Sequence, residues 1–255
     1  MLVSAKQYAI LATILVSHAA FADSRAVEET NYQASLSLGM TDYKNSSGRV
    51  SYENISGAVT MPLAKYLGAT VSGGYTQNHV RLGSLSCDVD SSGVNAGVFA
   101  RDFDIGKIGI GYARARNHWC SYSTFSGNED GGIDTETTSA NASYYFQDIT
   151  VGAAYSDSRV IQGRWGQDSS ATSVSAKYYP MSSLSAGLSV SRSRTDGTHQ
   201  DTPYLAFEYQ PEIFGNSTSL TLGLSHNEYS NSATLGITYF FDKRVDLITR
   251  DRRYR

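Results

Sequence analysis

Hydrophobic and polar side chains alternate along most of this chain with a period of two residues. The clearest segment is "LGATVSGGYT", residues 67–76, in which Leu67, Val71 and Tyr75 share one face while glycine, serine and threonine occupy the other. Successive side chains of a β-strand point to opposite faces, so this spacing predicts strands. Twelve such segments occur, at 31–43, 50–61, 67–80, 93–103, 107–117, 135–147, 149–160, 170–179, 184–195, 203–210, 218–227 and 232–241.

The length of these segments separates two fold classes that composition alone allows, a water-soluble β-sandwich and a membrane barrel. Most segments contain ten or more residues, which suits a tilted strand that crosses a bilayer in about 9–11 residues. The mean strand of a soluble protein is shorter, at roughly 5–6 residues. Connections such as "DIG" and "PMSS" are short, and they alternate with longer polar connections such as "HWCSYSTFSGNEDGGID". This alternation is typical of bacterial outer-membrane barrels.

The sequence therefore predicts an all-β fold, a transmembrane antiparallel up-and-down β-barrel of twelve strands. Ten or fourteen strands are the alternatives, because 31–61 and 160–180 alternate least regularly. Aromatic residues on the apolar face form two bands, as expected for the two membrane interfaces. Prolines are expected at strand ends or turns, because proline cannot donate to a β-ladder; they are Pro62, Pro180, Pro203 and Pro211.

The N-terminal segment predicts export from the cytoplasm. Lys6 precedes an apolar run from Tyr8 to Val16, and Ala20-Phe21-Ala22 has the small-residue pattern of a cleavage site. The run is too short to span a bilayer of roughly 30 Å as a helix. We predict a cleaved signal peptide at 1–22, a barrel at 23–241 and a basic periplasmic tail at 242–255.

The two cysteines, Cys87 and Cys120, fall in the second and third of the longer connections. In an exported chain a disulfide between them is expected, since oxidising compartments preserve disulfides. Both cysteines then lie outside the cell on neighbouring hairpins. A catalytic thiol is the alternative.

The final strand carries a family resemblance. In "SATLGITYFF", residues 232–241, the order of Thr234, Gly236, Tyr239 and Phe241 resembles the β-signal with which Gram-negative outer-membrane β-barrel proteins, including porins, end. The resemblance implies insertion into the bacterial outer membrane by the barrel assembly machinery. One departure is that fourteen residues follow Phe241, with an excess of basic side chains; we expect this tail to be solvated.

Few large polar side chains face the predicted lumen. The pore-lining candidates are Asn54, Asn95, Arg101, Asn141, Lys177 and Glu208. The functional interpretation is a narrow aqueous path, in which charged residues near the periplasmic mouth bias ion selectivity. The alternative is that these side chains bond to one another and help to plug the lumen. The third long loop, with Glu129 and Asp130, is a further candidate for constricting it.

A second cluster faces the lipid side at the outer strand ends. We predict that Arg114, Arg116, Arg192 and Arg194 contact lipopolysaccharide phosphates, because guanidinium groups bind phosphate bidentately. Solvated arginines at the loop bases are the alternative.

Other chemistry is poorly supported by the sequence. Ser225 and His226 are adjacent on one strand and so point to opposite faces, which excludes them as a nucleophile–base pair. No spacing indicates a metal site or a cofactor, and no basic groove indicates nucleic acid. The leading hypothesis is a porin-like channel for passive diffusion of small hydrophilic solutes. A non-conducting surface barrel whose loops bind a partner comes second, and an outer-leaflet lipid-modifying enzyme third. Oligomeric state is left open.

Overall fold

The computed structural model describes residues 29–44, 48–83, 85–118, 132–162, 167–241 and 245–254. Twelve antiparallel strands form a closed barrel, in which each strand pairs with its neighbours in sequence and the first strand pairs with the last. The predicted fold class and strand number are confirmed. Among the described residues no helix is both long and apolar enough to cross a membrane.

The strand bounds define two ends of the barrel. The turn end carries the short connections and the last described residues of the chain, and the loop end lies opposite. The strands are β1 Asn31–Tyr43, β2 Gly48–Ala64, β3 Leu67–Leu82, β4 Leu85–Asp102, β5 Gly106–His118, β6 Gly132–Phe146, β7 Ile149–Gln162, β8 Ser169–Met181, β9 Leu184–Thr195, β10 Thr198–Tyr209, β11 Thr218–His226 and β12 Ser230–Phe240. A short 3-10 helix, Glu212–Phe214, precedes β11, and an α-helix, α1, spans Leu247–Arg253.

Apolar side chains cover the outside of the barrel. Val94, Ile110 and Leu235 are 64%, 63% and 62% exposed, although they lie well inside long strands. A water-soluble sandwich would bury such side chains, because exposed apolar surface is unfavourable in water. The tyrosines predicted for the two aromatic bands, such as Tyr112 and Tyr239, are also exposed on this face. The outer face is therefore suited to lipid.

Two of the polar connections predicted as long loops, "RLGSLSCDVDSS" at 81–92 and "TDGTHQD" at 195–201, are tight hairpins instead. β3 continues to Leu82 and β4 begins at Leu85, so Cys87 lies within β4 opposite Val80. These strand ends carry no apolar alternation, which is expected where both faces of a hairpin project past the bilayer into water.

The second of these hairpins turns at Asp196 and Gly197, which both have positive φ angles of 48° and 80°. Asp-Gly at two positive φ positions is the favoured two-residue hairpin turn. β10 consequently begins at Thr198, and the expectation that Pro203 lies at a strand end is wrong. Pro203 pairs with Val190 of β9 but has no partner in β11, because the ladder to β11 begins only at Tyr204. Proline has no N–H to donate, so it is tolerated where a strand is paired on one side only.

Of the two cysteines of the predicted disulfide, Cys87 is described and Cys120 lies outside the described residues. Cys87 is at the loop end of the barrel, and β5 ends and β6 begins at this same end. No free cysteine occurs among the residues that the structure describes. The Cys87–Cys120 pairing stays a prediction.

Side chains inside the barrel reinforce the seam where β12 meets β1. Two hydroxyl pairs cross the seam, Ser35 with Thr238 at 2.9 Å and Thr41 with Ser232 at 2.8 Å. The Tyr52 ring lies over Gly39 of β1, which has no side chain, and its hydroxyl is 2.5 Å from Thr234 Oγ1 of β12. One tyrosine therefore links β2 to β12 across β1.

We predict that Gly39→Ala destabilises the barrel, because a Cβ at residue 39 overlaps the Tyr52 ring and displaces it from Thr234. The expected cost is about 1–3 kcal/mol of unfolding free energy, as for other overpacking substitutions. The measurement is the urea unfolding midpoint of the protein in lipid vesicles. Gly187→Ala is the matched control, because the nearest atoms to its added Cβ are 3.8 Å away; equal midpoints for the two variants contradict the prediction.

Candidate channel lumen

The pore-lining candidates all occupy inward-facing positions. Asn54 donates to Thr76 Oγ1 at 2.7 Å along the wall between β2 and β3. Asn95 lines a cavity of about 420 Å³. Asn141, Arg101 and Lys177 line a second cavity of about 390 Å³, which we call the floor cavity. Glu208 is buried beside it and pairs with Lys177. Their contribution to solute passage stays a prediction.

Charge is distributed unevenly along the lumen. Inward positions in the loop-end half of the described strands carry uncharged side chains, mainly serine, threonine, asparagine, glycine and alanine. Two tyrosines, Tyr52 and Tyr204, and a few apolar residues, such as the facing Val50 and Val80, are also among them. Charged inward-facing side chains of the described strands lie near the turn end, namely Arg101, Lys107, Lys177 and Glu208. A solute that enters from the loop end therefore meets a neutral polar wall before it reaches charges.

The C-terminal helix α1 folds against the turn end, which differs from the solvated tail that the sequence predicted. Asp246 caps its N-terminus by accepting from the Thr249 backbone N–H at 2.8 Å. The Leu247 backbone N–H donates to the Ser182 carbonyl in the turn between β8 and β9 at 2.8 Å, and the Leu247 side chain is completely buried. The helix is thus held at its first turn by the barrel.

The inward aromatic side chain of Phe240 gives α1 a surface to pack against. The Arg250 guanidinium lies 3.7 Å from the centre of the Phe240 ring, and Phe240 has no solvent exposure. Arg250 also donates to the Asn216 carbonyl, ahead of β11. This contact combines cation–π attraction with burial of a large ring, and explains why a basic tail remains ordered here.

Contacts of the tail extend around the circumference of the barrel. They reach Asn31 of β1 through the Tyr254 carbonyl, Phe103 between β4 and β5 through Arg253, Tyr145 of β6 and the Ile149 carbonyl of β7 through Arg252, and Gln210 after β10 through the Val245 carbonyl. A segment that contacts opposite walls lies across the opening. Residues 245–254 therefore cover the turn end of the lumen.

A buried ionic cluster joins this cover to the wall. Lys177 Nζ is 2.9 Å from Glu208 Oε2 and 2.5 Å from Asp251 Oδ2, and the Tyr179 hydroxyl donates to Asp251 at 2.8 Å. The Glu208 and Asp251 side chains are only 7% and 13% exposed. Buried charges require partners of opposite sign. Lys177 of the wall therefore compensates Asp251 of the helix, and Asp251 helps to compensate Lys177.

Two further cations share one aromatic ring on the opposite side of the floor cavity. Arg101 and Lys107 are paired in register between β4 and β5, and they lie 4.7 Å and 4.3 Å from the centre of the Phe99 ring. Several residues of this end were not among the candidates predicted from the sequence, namely Lys107, Phe99, Tyr145, Tyr179 and the helix residues. Their signal was available, because aromatic residues at inward positions of a lumen lined by small side chains indicate something that packs on them.

The arginines predicted to contact lipopolysaccharide are exposed at the outer strand ends, and three of them pair with aspartates. Arg114 and Arg116 flank Asp134 at 3.3 and 3.2 Å. Arg192 binds both carboxylate oxygens of Asp201 at 2.7 Å. These pairs reduce the positive charge that the arginines offer to a phosphate. Lipopolysaccharide contact by Arg114, Arg116, Arg192 and Arg194 stays a prediction.

The remaining candidates add no catalytic arrangement. Ser225 and His226 lie at positions of opposite orientation on β11, and His226 Nδ1 is 2.6 Å from Asn231 Oδ1. In the part of the chain that the structure describes, no three metal-binding side chains are grouped. Glu129 and Asp130, considered for a constriction, lie outside the described residues.

We predict that Lys177→Met lowers the unfolding free energy by about 3 kcal/mol, because it removes the ammonium group from between two largely buried carboxylates. Arg159→Met is the matched control, since Arg159 and Asp157 form an exposed pair at 3.2 Å and such pairs contribute little. Urea unfolding in lipid vesicles measures both. A loss for Lys177→Met no larger than that for Arg159→Met contradicts the ionic cluster.

Structural comparison places the fold among outer-membrane barrels. The translocator domain of the autotransporter NalP from Neisseria meningitidis is 15% identical, with 92% of this chain and 93% of that chain covered and a TM-score of 0.55. The beta domain of the Bordetella autotransporter Brka is 10% identical, covering 84% and 100%, at 0.62. The KdgM porin, in a complex with disordered oligogalacturonate, is 9% identical, covering 81% and 98%, at 0.57. Such low identities establish similarity of fold alone.

Sequence comparison supplies the family. No curated protein sequence matches the chain significantly. A model of the Gram-negative porin family matches residues 84–250, which is more than half of the chain and runs from the β3–β4 hairpin into α1. Together with the closed twelve-strand barrel and its apolar outer face, this match places the protein in the outer membrane, and the chain belongs to the Gram-negative porin family.

Proposed function

We propose that the protein is a narrow channel for passive diffusion of small hydrophilic solutes, and that residues 245–254 obstruct its periplasmic mouth. The observation that carries this proposal is the lumen itself, which is lined by serine, threonine and asparagine and contains cavities of about 420 and 390 Å³. Polar lumen walls are typical of diffusion channels. In such barrels the short turns are periplasmic, which assigns the turn end to the periplasm.

The obstruction follows from the contacts of α1. The helix is joined to the wall by the Lys177–Asp251 pair and by the burial of Leu247, and it packs over Phe240. It contributes most of its contacts through polar and charged side chains rather than through an extensive apolar face. Such contacts are compatible with opening, because water and ions can replace them when the helix leaves.

The covered mouth also supports a second candidate, a non-conducting surface barrel. A barrel that stays closed retains its loops as the part of the molecule available to a partner. This candidate and the channel differ in one measurable property, which is conductance.

Planar-bilayer recordings separate the candidates. We expect the full mature chain to give small or brief openings, and a chain ending at Phe241 to give larger, sustained conductance, because truncation removes the cover. Leu247→Asp is a point variant with the same expectation, since it introduces a charge at a completely buried site. Arg159→Gln is the control, because Arg159 is exposed on the outer face of the barrel, where it pairs with Asp157, and should leave conductance close to that of the full chain.

Each outcome has a defined meaning. Absence of conductance from both the full and the truncated chain refutes the channel and favours the surface barrel. Equal conductance of the two supports the channel but refutes obstruction by the helix.

Export and oxidation have their own test. We expect the protein isolated from outer membranes to begin at Asp23 and to migrate faster on denaturing gels without reductant than with it, because a Cys87–Cys120 disulfide compacts the denatured chain. Cys87→Ser removes the mobility difference. An N-terminus at Met1, or mobility unaffected by reductant, contradicts the respective prediction.

A further inference from the structure

We propose that Tyr52 and Tyr204 form an aromatic platform inside the lumen that binds a neutral pyranose sugar by stacking. This deepens the proposed function by naming a solute class, and it rests on that function only for the claim that the sugar is a transported solute. Binding itself can be tested without conduction.

The two tyrosine rings lie along the barrel wall, where glycines of the neighbouring strands make room for them. A Cβ at Gly39 would overlap Cζ, Cε1 and the hydroxyl oxygen of Tyr52 together, so one face of that ring rests on the backbone of β1. The hydroxyl end of Tyr204 lies over Gly223 of β11. Glycine permits such a close approach because it has no side chain. Each ring is therefore held against the wall and leaves its other side to the lumen.

The hydroxyl groups of the two tyrosines converge on one cross-strand pair. The Tyr52 hydroxyl is 2.5 Å from Thr234 Oγ1 of β12, and Thr234 is paired in register with Gly223, which lies beneath the Tyr204 hydroxyl. The two tyrosines also interact electrostatically. Both polar tips are thus directed at the wall, and the surface left to the lumen is largely the carbon surface of the rings. Tyr204 is 40% exposed at an inward position of β10, so this surface is accessible.

Uncharged polar side chains surround the platform. Asn54 follows Tyr52 at the next inward position of β2. Thr202 precedes Tyr204 at the corresponding position of β10. Glu208, the first charged inward residue after Tyr204 on that strand, is four residues away, or roughly 13 Å along the strand. Within the described strands a charged solute therefore meets no inward-facing counter-charge beside the platform, whereas amide and hydroxyl groups can both donate to and accept from a neutral one.

A pyranose sugar has the two properties that this surface requires. Its faces carry C–H groups, which the electron-rich face of an aromatic ring attracts, and its rim carries hydroxyl groups. A cavity of about 420 Å³ continues toward the turn end, and Ser35 and Ser56 of β1 and β2 are among the residues that line it. That volume lies within the roughly 300–1,000 Å³ of small-molecule sites. The lumen therefore accommodates a sugar both at the platform and beyond it.

Saturation-transfer NMR on the full mature chain, in a detergent without a sugar head group, tests the proposal with three probes. Glucose is the ligand, sorbitol carries a hydroxyl on every carbon but has no ring, and glucuronate adds a carboxylate to the glucose ring. We expect glucose to bind more tightly than both and to receive saturation mainly at the axial C–H protons of one ring face. Tyr204→Leu should weaken glucose binding by about tenfold, a typical factor for the loss of one stacking contact, whereas Tyr204→Phe keeps the ring and should stay within about threefold.

Tyr155→Leu is the matched control, because Tyr155 is 50% exposed but lies on the outer face of β7; it should bind glucose as the unaltered chain does. The heat-dependent gel mobility of folded barrels verifies that each variant is folded. Glucose binding that is absent, that is unchanged in Tyr204→Leu, that is lost equally in Tyr204→Phe, or that is matched by sorbitol or by glucuronate overturns the proposal. A chain that conducts but does not bind glucose refutes this inference alone, and a chain that binds but does not conduct refutes only the channel.

Discussion

Backbone hydrogen bonding between β1 and β12 is the interaction on which the rest of the structure depends. A strand in lipid cannot leave N–H and C=O groups unpaired, since no water is present to satisfy them, so the sheet must close on itself. The ladder from Gln33–Phe240 to Tyr43–Ser230 provides that closure. Once the cylinder is closed, every strand has one face toward lipid and one toward the lumen, and the alternation of Leu235 and Ile237 with Gly236 and Thr238 follows.

Closure also explains how the inside of the barrel is built. Small residues such as Gly39 and Gly223 leave room for the Tyr52 and Tyr204 rings to lie along the wall rather than across the lumen. Hydroxyl pairs between strands, such as Thr137 with Ser158 at 2.8 Å, satisfy polar groups without filling the bore. The result is a lumen with an uncharged, mostly polar wall, and charge enters only at the turn end, through a few residues and the helix that contacts them.

The tail illustrates how a basic segment can be ordered without a large apolar face. Arg250 packs on Phe240, Arg252 lies over Tyr145 at 5.1 Å, and Arg253 lies over Phe103 at 5.2 Å. Each guanidinium lies within the distance of a cation–π contact with its ring, so aromatic side chains of the barrel hold the charged segment in place. Residues of the same short segment compensate the wall charges and cover the turn end of the lumen, so the stability of this end and access to the lumen depend on one segment.

The sequence by itself determined the strands that lie in the bilayer, because lipid on one face and lumen on the other impose alternation; β1 at 31–43 and β9 at 184–195 were predicted with the bounds that the structure has. It could not determine the hairpin ends around Cys87 and Gln200, where both faces meet water and alternation carries no information. Only the tertiary structure decided that Lys177 pairs with both Glu208 and Asp251, although Asp251 lies 74 residues beyond Lys177 in the chain. Such a contact depends on where the barrel places the strand ends, and no local pattern encodes it.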